Sequence, residues 1–145
     1  MEKRPMGPLL GHCAHLFREC LDARLAEYDV TPAQVHVLHY LYHNGNRASQ
    51  SEVTVHLKVR PSTVNGILDR MEEKDLLRRS VSESDARKRM VTLTEKGLEQ
   101  QQALRQKFED AETVMKKGLS DTEEEQLREL LRRVMTNLEE DRRRC

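Results

Sequence analysis

The chain has 145 residues, 37% hydrophobic and 34% charged, but only 3% aromatic. That length suits one domain whose core must come from Leu, Val, Ile, Met and Ala, and the shortage of rings excludes a single-strand binder that stacks bases. No apolar run approaches the roughly 18 residues of a membrane helix, and balanced totals of 25 basic and 25 acidic residues exclude a uniformly basic nucleic-acid binder.

Charge is nevertheless uneven along the chain. Residues 1–44 carry net −1, residues 45–94 net +3 and residues 95–145 net −2. The opening stretch, Met1 to Pro8, lacks the apolar segment of a signal peptide, which makes a cytoplasmic location the expectation. Cys13, Cys20 and Cys145 are odd in number and form no C-x-x-C pair, so no disulfide framework is expected.

Leu9, Leu10, Cys13, Leu16, Phe17, Cys20 and Leu21 recur at helical spacing and predict a first amphipathic helix ending near Tyr28. Thr31-Pro32 starts a second helix, with Thr as N-cap and Pro in the first turn. That helix, Ala33 to His43, is apolar on several sides and should be buried; Asn44-Gly45-Asn46 stops it. Ser49-Gln50-Ser51-Glu52 reads as a capping box opening a short third helix to about Leu57. Pro61 opens a fourth, with Val64, Ile67, Leu68 and Met71 on one stripe and Ser62, Thr63, Asn65, Gly66, Asp69 and Arg70 opposite.

After Leu76-Leu77 the period shortens. Residues 78–81 and 89–93 read as two strands around a loop at Ser82 to Ala86, a hairpin with a basic tip. In and beside it Arg78, Arg79, Arg87, Lys88 and Arg89 face only Glu83 and Asp85. From Thr94 the chain is helical for about 25 residues, with Leu104, Phe108, Ala111, Met115 and Leu119 on one face. Ser120 to Glu123 is a second capping box, opening a last helix striped by Leu127, Leu130, Leu131, Val134 and Leu138.

The fold class expected is mainly α with a small β-hairpin wing: a winged helix-turn-helix flanked by N- and C-terminal helices that form a dimerisation region. The major groove admits one α-helix, read by residues near its N-terminus. Small polar groups at Ser62, Thr63 and Asn65 suit that approach, and Arg70 suits the backbone further along. Arg60, at an N-cap position, favours a phosphate there, because helix N-terminus and guanidinium attract the same anion. At the tip, Asp85 can orient one arginine while another enters a narrow, electronegative minor groove.

These stretches together resemble the MarR (multiple antibiotic resistance regulator) family of bacterial transcription factors, from about Leu9 to Leu138. The resemblance rests on Val30-Thr31-Pro32-Ala33-Gln34, on Pro61-Ser62-Thr63-Val64 through Leu68-Asp69-Arg70-Met71, and on Asp85-Ala86-Arg87 followed by Val91 to Gly97. It implies a single domain over residues 1–145, with a DNA-binding lobe at about 45–94 and dimerisation helices at about 8–28 and 98–140. It also implies a homodimeric regulator, a repressor on pseudo-palindromic double-stranded DNA, relieved by a small lipophilic or phenolic effector. The fourth helix would enter the major groove and Arg87 the minor groove, with Asp85 as its anchor. Arg60 departs from the small capping residue common in the family.

The DNA-binding set is thus Ser49, Gln50, Arg60, Pro61, Ser62, Thr63, Asn65, Arg70, Asp85, Arg87, Lys88 and Arg89; His12, His15, His36 and His39 are candidates for the effector pocket. No catalytic motif, cofactor or metal site is expected. Two readings stay open beside this one. Neutral charge allows a winged-helix interaction module that does not touch DNA. His36, His39 and His43, at i, i+3 and i+7, allow a metal-sensing regulator, although no histidine follows His56.

Overall fold

A computed structural model describes residues 3–145; residues 1 and 2, the start of the stretch read as lacking a signal peptide, lie outside the described residues. Among the described residues six helices and three strands follow in order: α1 (Met6–Leu25), α2 (Pro32–His43), β1 (Arg47–Ser49), α3 (Gln50–Leu57), α4 (Pro61–Glu73), β2 (Leu77–Val81), β3 (Arg89–Leu93), α5 (Glu95–Met115) and α6 (Asp121–Arg144). The chain divides into two compact units, residues 1–109 and 110–145.

In the first unit, α2 starts where the sequence indicates. The Thr31 hydroxyl accepts from the Gln34 N–H, and Gln34 Oε1 accepts from the Thr31 N–H, both at 3.2 Å. Gln34 is buried, and the same Oε1 takes a second donor, Lys74 Nζ at 3.2 Å. Lys74 Nζ also donates to the Asp29 carbonyl at 2.7 Å, so one ammonium ties the entry of α2 to the end of α4. The N-terminal helix stops at Leu25, short of the Tyr28 expected, because residues 26–28 form a turn closed by Tyr28 N–H on the Leu25 carbonyl.

The core gathers Val37, Leu38 and Leu41 of α2, Val53 of α3, Val64, Leu68 and Met71 of α4, and Leu76, Leu77 and Val91 around the sheet. Its α4 members are the stripe read from the sequence. The sheet is antiparallel in order β1-β3-β2, with Leu77 opposite Leu93 and Val81 opposite Arg89 in the hairpin. The third strand, β1, pairs Ala48 with Val91 and was not anticipated. It is three residues long and follows a turn in which Gly45 and Asn46 both take positive φ. Sequence patterning over three residues carries no period.

Where β3 leads into α5, Thr94 Oγ1 accepts from the Gly97 N–H at 3.0 Å and donates to the Asp75 carbonyl. A Cβ at Gly97 would collide with the carbonyl of Leu76. The backbone there comes too close for any side chain, which locks α5 to the base of the hairpin. In the second unit, Ser120 and Glu123 form the full capping box, with bonds of 2.9 and 3.1 Å. Lys116 and Arg128 both reach Glu124, at 3.4 and 2.9 Å. Burial is sparse on the outer helices: α1 and α6 bury none of their residues.

Gly97→Ala should therefore destabilise the fold by about 1–3 kcal/mol, the usual cost of overpacking against unyielding atoms. Urea denaturation monitored by circular dichroism would measure it, and an unchanged midpoint would show that the approach at Leu76 can relax.

Candidate nucleic-acid interface

Burial of Val64, Ile67, Leu68 and Met71 turns the opposite face of α4 outward. Ser62, Thr63, Asn65 and Arg70 are all exposed on it. Pro61 occupies the first turn, and Arg60 at the N-cap is exposed and makes no side-chain cap bond. The helix N-terminus is thus left with free N–H groups beside a cation, an arrangement that favours a phosphate.

The wing is shaped by Asp85. Its Oδ1 accepts from the Arg87 N–H at 3.0 Å and lies 3.5 Å from Arg87 Nε. The Lys88 N–H donates to the Asp85 carbonyl at 3.0 Å, and the Ser82 N–H donates to the Lys88 carbonyl at 2.8 Å, closing the loop. Held from below, the Arg87 side chain is 94% exposed. Lys88 and Arg89 are exposed beside it.

Two residues do not behave as the sequence suggests. Ser49 is 1% exposed, and its hydroxyl accepts the Glu52 N–H at 3.1 Å. It is the N-cap of α3 and has no surface to offer a groove; Glu52 does not return the second bond of the expected box. Arg79 is no part of the free positive tip. Its side chain is 11% exposed, paired with Asp69 and Glu72 of α4, and its Nη1 donates to Asn65 Oδ1 at 2.9 Å. Burial works against its charge, but the Asp69 and Glu72 bonds outweigh this and hold its pKa above the ordinary range. Gln50, half-buried, donates to the same Asn65 oxygen at 3.4 Å. Asp69 and Glu72 lie one helical turn apart, and that spacing was the available signal for a cation from another element.

The sequence model of the MarR family matches residues 28–88, which covers α2 through the wing tip. The HTH-type transcriptional repressor IacR of Pseudomonas putida is 28% identical over 123 residues, 85% of this chain and 73% of that protein. Among solved structures, MarR of E. coli is 26% identical with a TM-score of 0.74, covering 92% of this chain and 98% of that one. Over α2 to the wing tip the chain is similar to the MarR family.

It is a transcriptional regulator, and its relatives here are regulators rather than enzymes. MepR, a transcription regulator of a Staphylococcus aureus multidrug efflux pump, is 27% identical, with a TM-score of 0.79 over 93% of this chain and 99% of its own. A MepR mutant has been solved bound to an oligodeoxyribonucleotide (28% identity, TM-score 0.68, 94% and 99% covered), and MepR has been solved bound to ethidium bromide (28%, 0.70, 93% and 99%).

The histidines of the chain fall into separate groups. His12 and His15 are exposed on α1, where His15 lies 3.0 Å from Glu19. His36 and His39 are on α2, and the rings of His39 and His43 sit 4.3 Å apart. His56 of α3 stacks on Tyr40, also at 4.3 Å. Among the described residues, no three His, Cys, Asp or Glu side chains are arranged to hold a metal ion, and no helix is long and apolar enough to cross a membrane. On α1, Arg24 Nη1 lies 2.9 Å from Cys20 Sγ, a pairing the sequence did not reveal.

Burial, then the nearby His43, His36, His56 and Arg105, holds the His39 imidazole below its ordinary value of 6.5. As pH falls through that value, the unfolded chain takes up the proton before the folded one does. Stability is therefore intact above about pH 6.5 and declines below it. His39→Gln should flatten the drop in Tm between pH 7.5 and 5.5; an equally steep drop in the variant would remove His39 from the account.

Proposed function

We propose that the protein is a homodimeric repressor of transcription that binds pseudo-palindromic double-stranded DNA. In this reading, α4 lies in the major groove, with Ser62, Thr63 and Asn65 near base edges and Arg60 and Arg70 on phosphates. Arg87 enters the flanking minor groove, steadied by Asp85, with Lys88 and Arg89 on the backbone. The observation that carries the proposal is the pairing of a polar, outward-turned α4 with an Arg87 that is almost wholly exposed yet held at its base. Free arginines are common on surfaces; one anchored by a carboxylate in a loop beside a helix-turn-helix is not a generic solvated charge.

Dimerisation is supported by what the outer helices leave uncovered. Leu9 and Leu16 of α1 and Leu127, Leu130, Met135 and Leu138 of α6 are all exposed, Leu138 at 65%. Apolar stripes of this length are unfavourable in water and are ordinarily covered by a partner. A two-fold partner sets two copies of α4 about one helical turn of DNA apart, on the order of 10 base pairs. The single-domain reading of residues 1–145, with residues 45–94 contacting DNA and the outer helices pairing, belongs to this proposal. So does relief by a small lipophilic or phenolic effector; MepR's capture of ethidium is its support by likeness, and the histidines His36 and His39 with His12 and His15 are its candidate contacts.

Arg87→Ala should weaken operator binding roughly tenfold or more and reduce its salt dependence. Leu130→Glu, at an exposed position, should leave the helical content intact, convert the dimer to monomer and abolish tight binding. Sedimentation velocity and fluorescence anisotropy at two salt concentrations read both. A parent protein that sediments as a monomer, or an Arg87→Ala variant that binds as the parent does, would overturn the proposal.

A further inference from the structure

Asn65 stands on the exposed face of α4, yet its carboxamide oxygen already serves two donors. Arg79 Nη1 donates to it at 2.9 Å and Gln50 Nε2 at 3.4 Å. A guanidinium has donors only, so the Asn65 atom facing it must be the oxygen; the flipped amide would set N–H against N–H. Arg79 is fixed in turn by Asp69 and Glu72, and its own backbone N–H donates to Glu72 Oε2 at 3.1 Å. A carbonyl oxygen has two lone pairs, and both are engaged here. What Asn65 has left to offer a ligand is its NH2 group.

We propose that Asn65 reads DNA as a donor-only group and selects guanine at the half-site position it meets, with Arg79 as the positioning residue that takes away its acceptor. This rests on the DNA-binding reading above. An unconstrained asparagine favours adenine, accepting from N6 and donating to N7 at once. That pairing needs a free oxygen. Guanine presents two acceptors in the major groove, N7 and O6; thymine presents O4 alone, and cytosine presents only a donor. A side chain reduced to donors matches guanine best and cytosine worst. Arg79, on the wing strand, thereby sets the base preference of a residue on α4 without touching DNA itself.

Selection of bound duplexes from a randomised pool by the full-length protein tests this position by position. The parent should enrich guanine at one position in each half-site, and Asn65→Ala should flatten that position alone. Asn65→Asp keeps an oxygen towards Arg79 but replaces the donors with an acceptor, and should shift the preference to cytosine by about tenfold. Arg79→Met frees the oxygen and should move the preference towards adenine, whereas Arg79→Lys, which retains a donor, should keep guanine. Should Arg79→Met fail to fold, the Asn65→Asp result decides. Adenine at the Asn65-sensitive position in the parent, or unchanged preferences in Asn65→Ala with binding intact, would overturn the inference. A parent that selects no duplex at all would instead sink the regulator reading, and this inference with it.

Discussion

The fold depends above all on burying one stripe of α4. Val64, Ile67, Leu68 and Met71 lie on a single side of a 13-residue helix, and each is essentially removed from water. Full burial of such side chains stabilises by about 1.5–3 kcal/mol apiece, so the rotation of α4 about its axis is fixed by several kcal/mol. No polar contact on its other face needs to hold it there. Ser62, Thr63, Asn65 and Arg70 are free to face outward because the stripe leaves them no alternative.

A second set of contacts ties that helix to its surroundings. Lys74 joins its C-terminal end to Asp29 and Gln34 at the start of α2. Arg79 joins its middle to β2, and through Asn65 to Gln50 of α3. The missing side chain at Gly97 lets α5 meet the hairpin's base. These contacts tie α4 to the wing, which under the proposed function would let the two address neighbouring grooves of one duplex together. Asp85 performs the same service on a smaller scale, holding the base of Arg87 while its guanidinium stays in solvent.

Much of this was legible in the residues. The stripe of α4, the caps at Thr31 and Ser120 and the hairpin follow from rules that act over three or four neighbours, whereas the pairing of Asp85 with Arg87 was implied by the resemblance to the MarR family. What was missed is non-local or very short. Three residues of β1 carry no period and owe their conformation to pairing with β3. Arg79 looked like one more cation in a basic run, because its partners Asp69 and Glu72 lie seven to ten residues earlier on another element. Ser49 looked available because a sequence does not distinguish a cap that is exposed from one that is buried. In each case the deciding contact comes from tertiary packing.

The orientation of α4 and the wing is most directly tested by chemical footprinting of the protein on its own selected duplex. If the buried stripe fixes the outward face as described, guanine N7 should be protected in the major groove at two patches about one turn apart, with hydroxyl-radical protection of the minor groove flanking them. A single patch, or minor-groove protection alone, would mean that α4 does not enter the major groove.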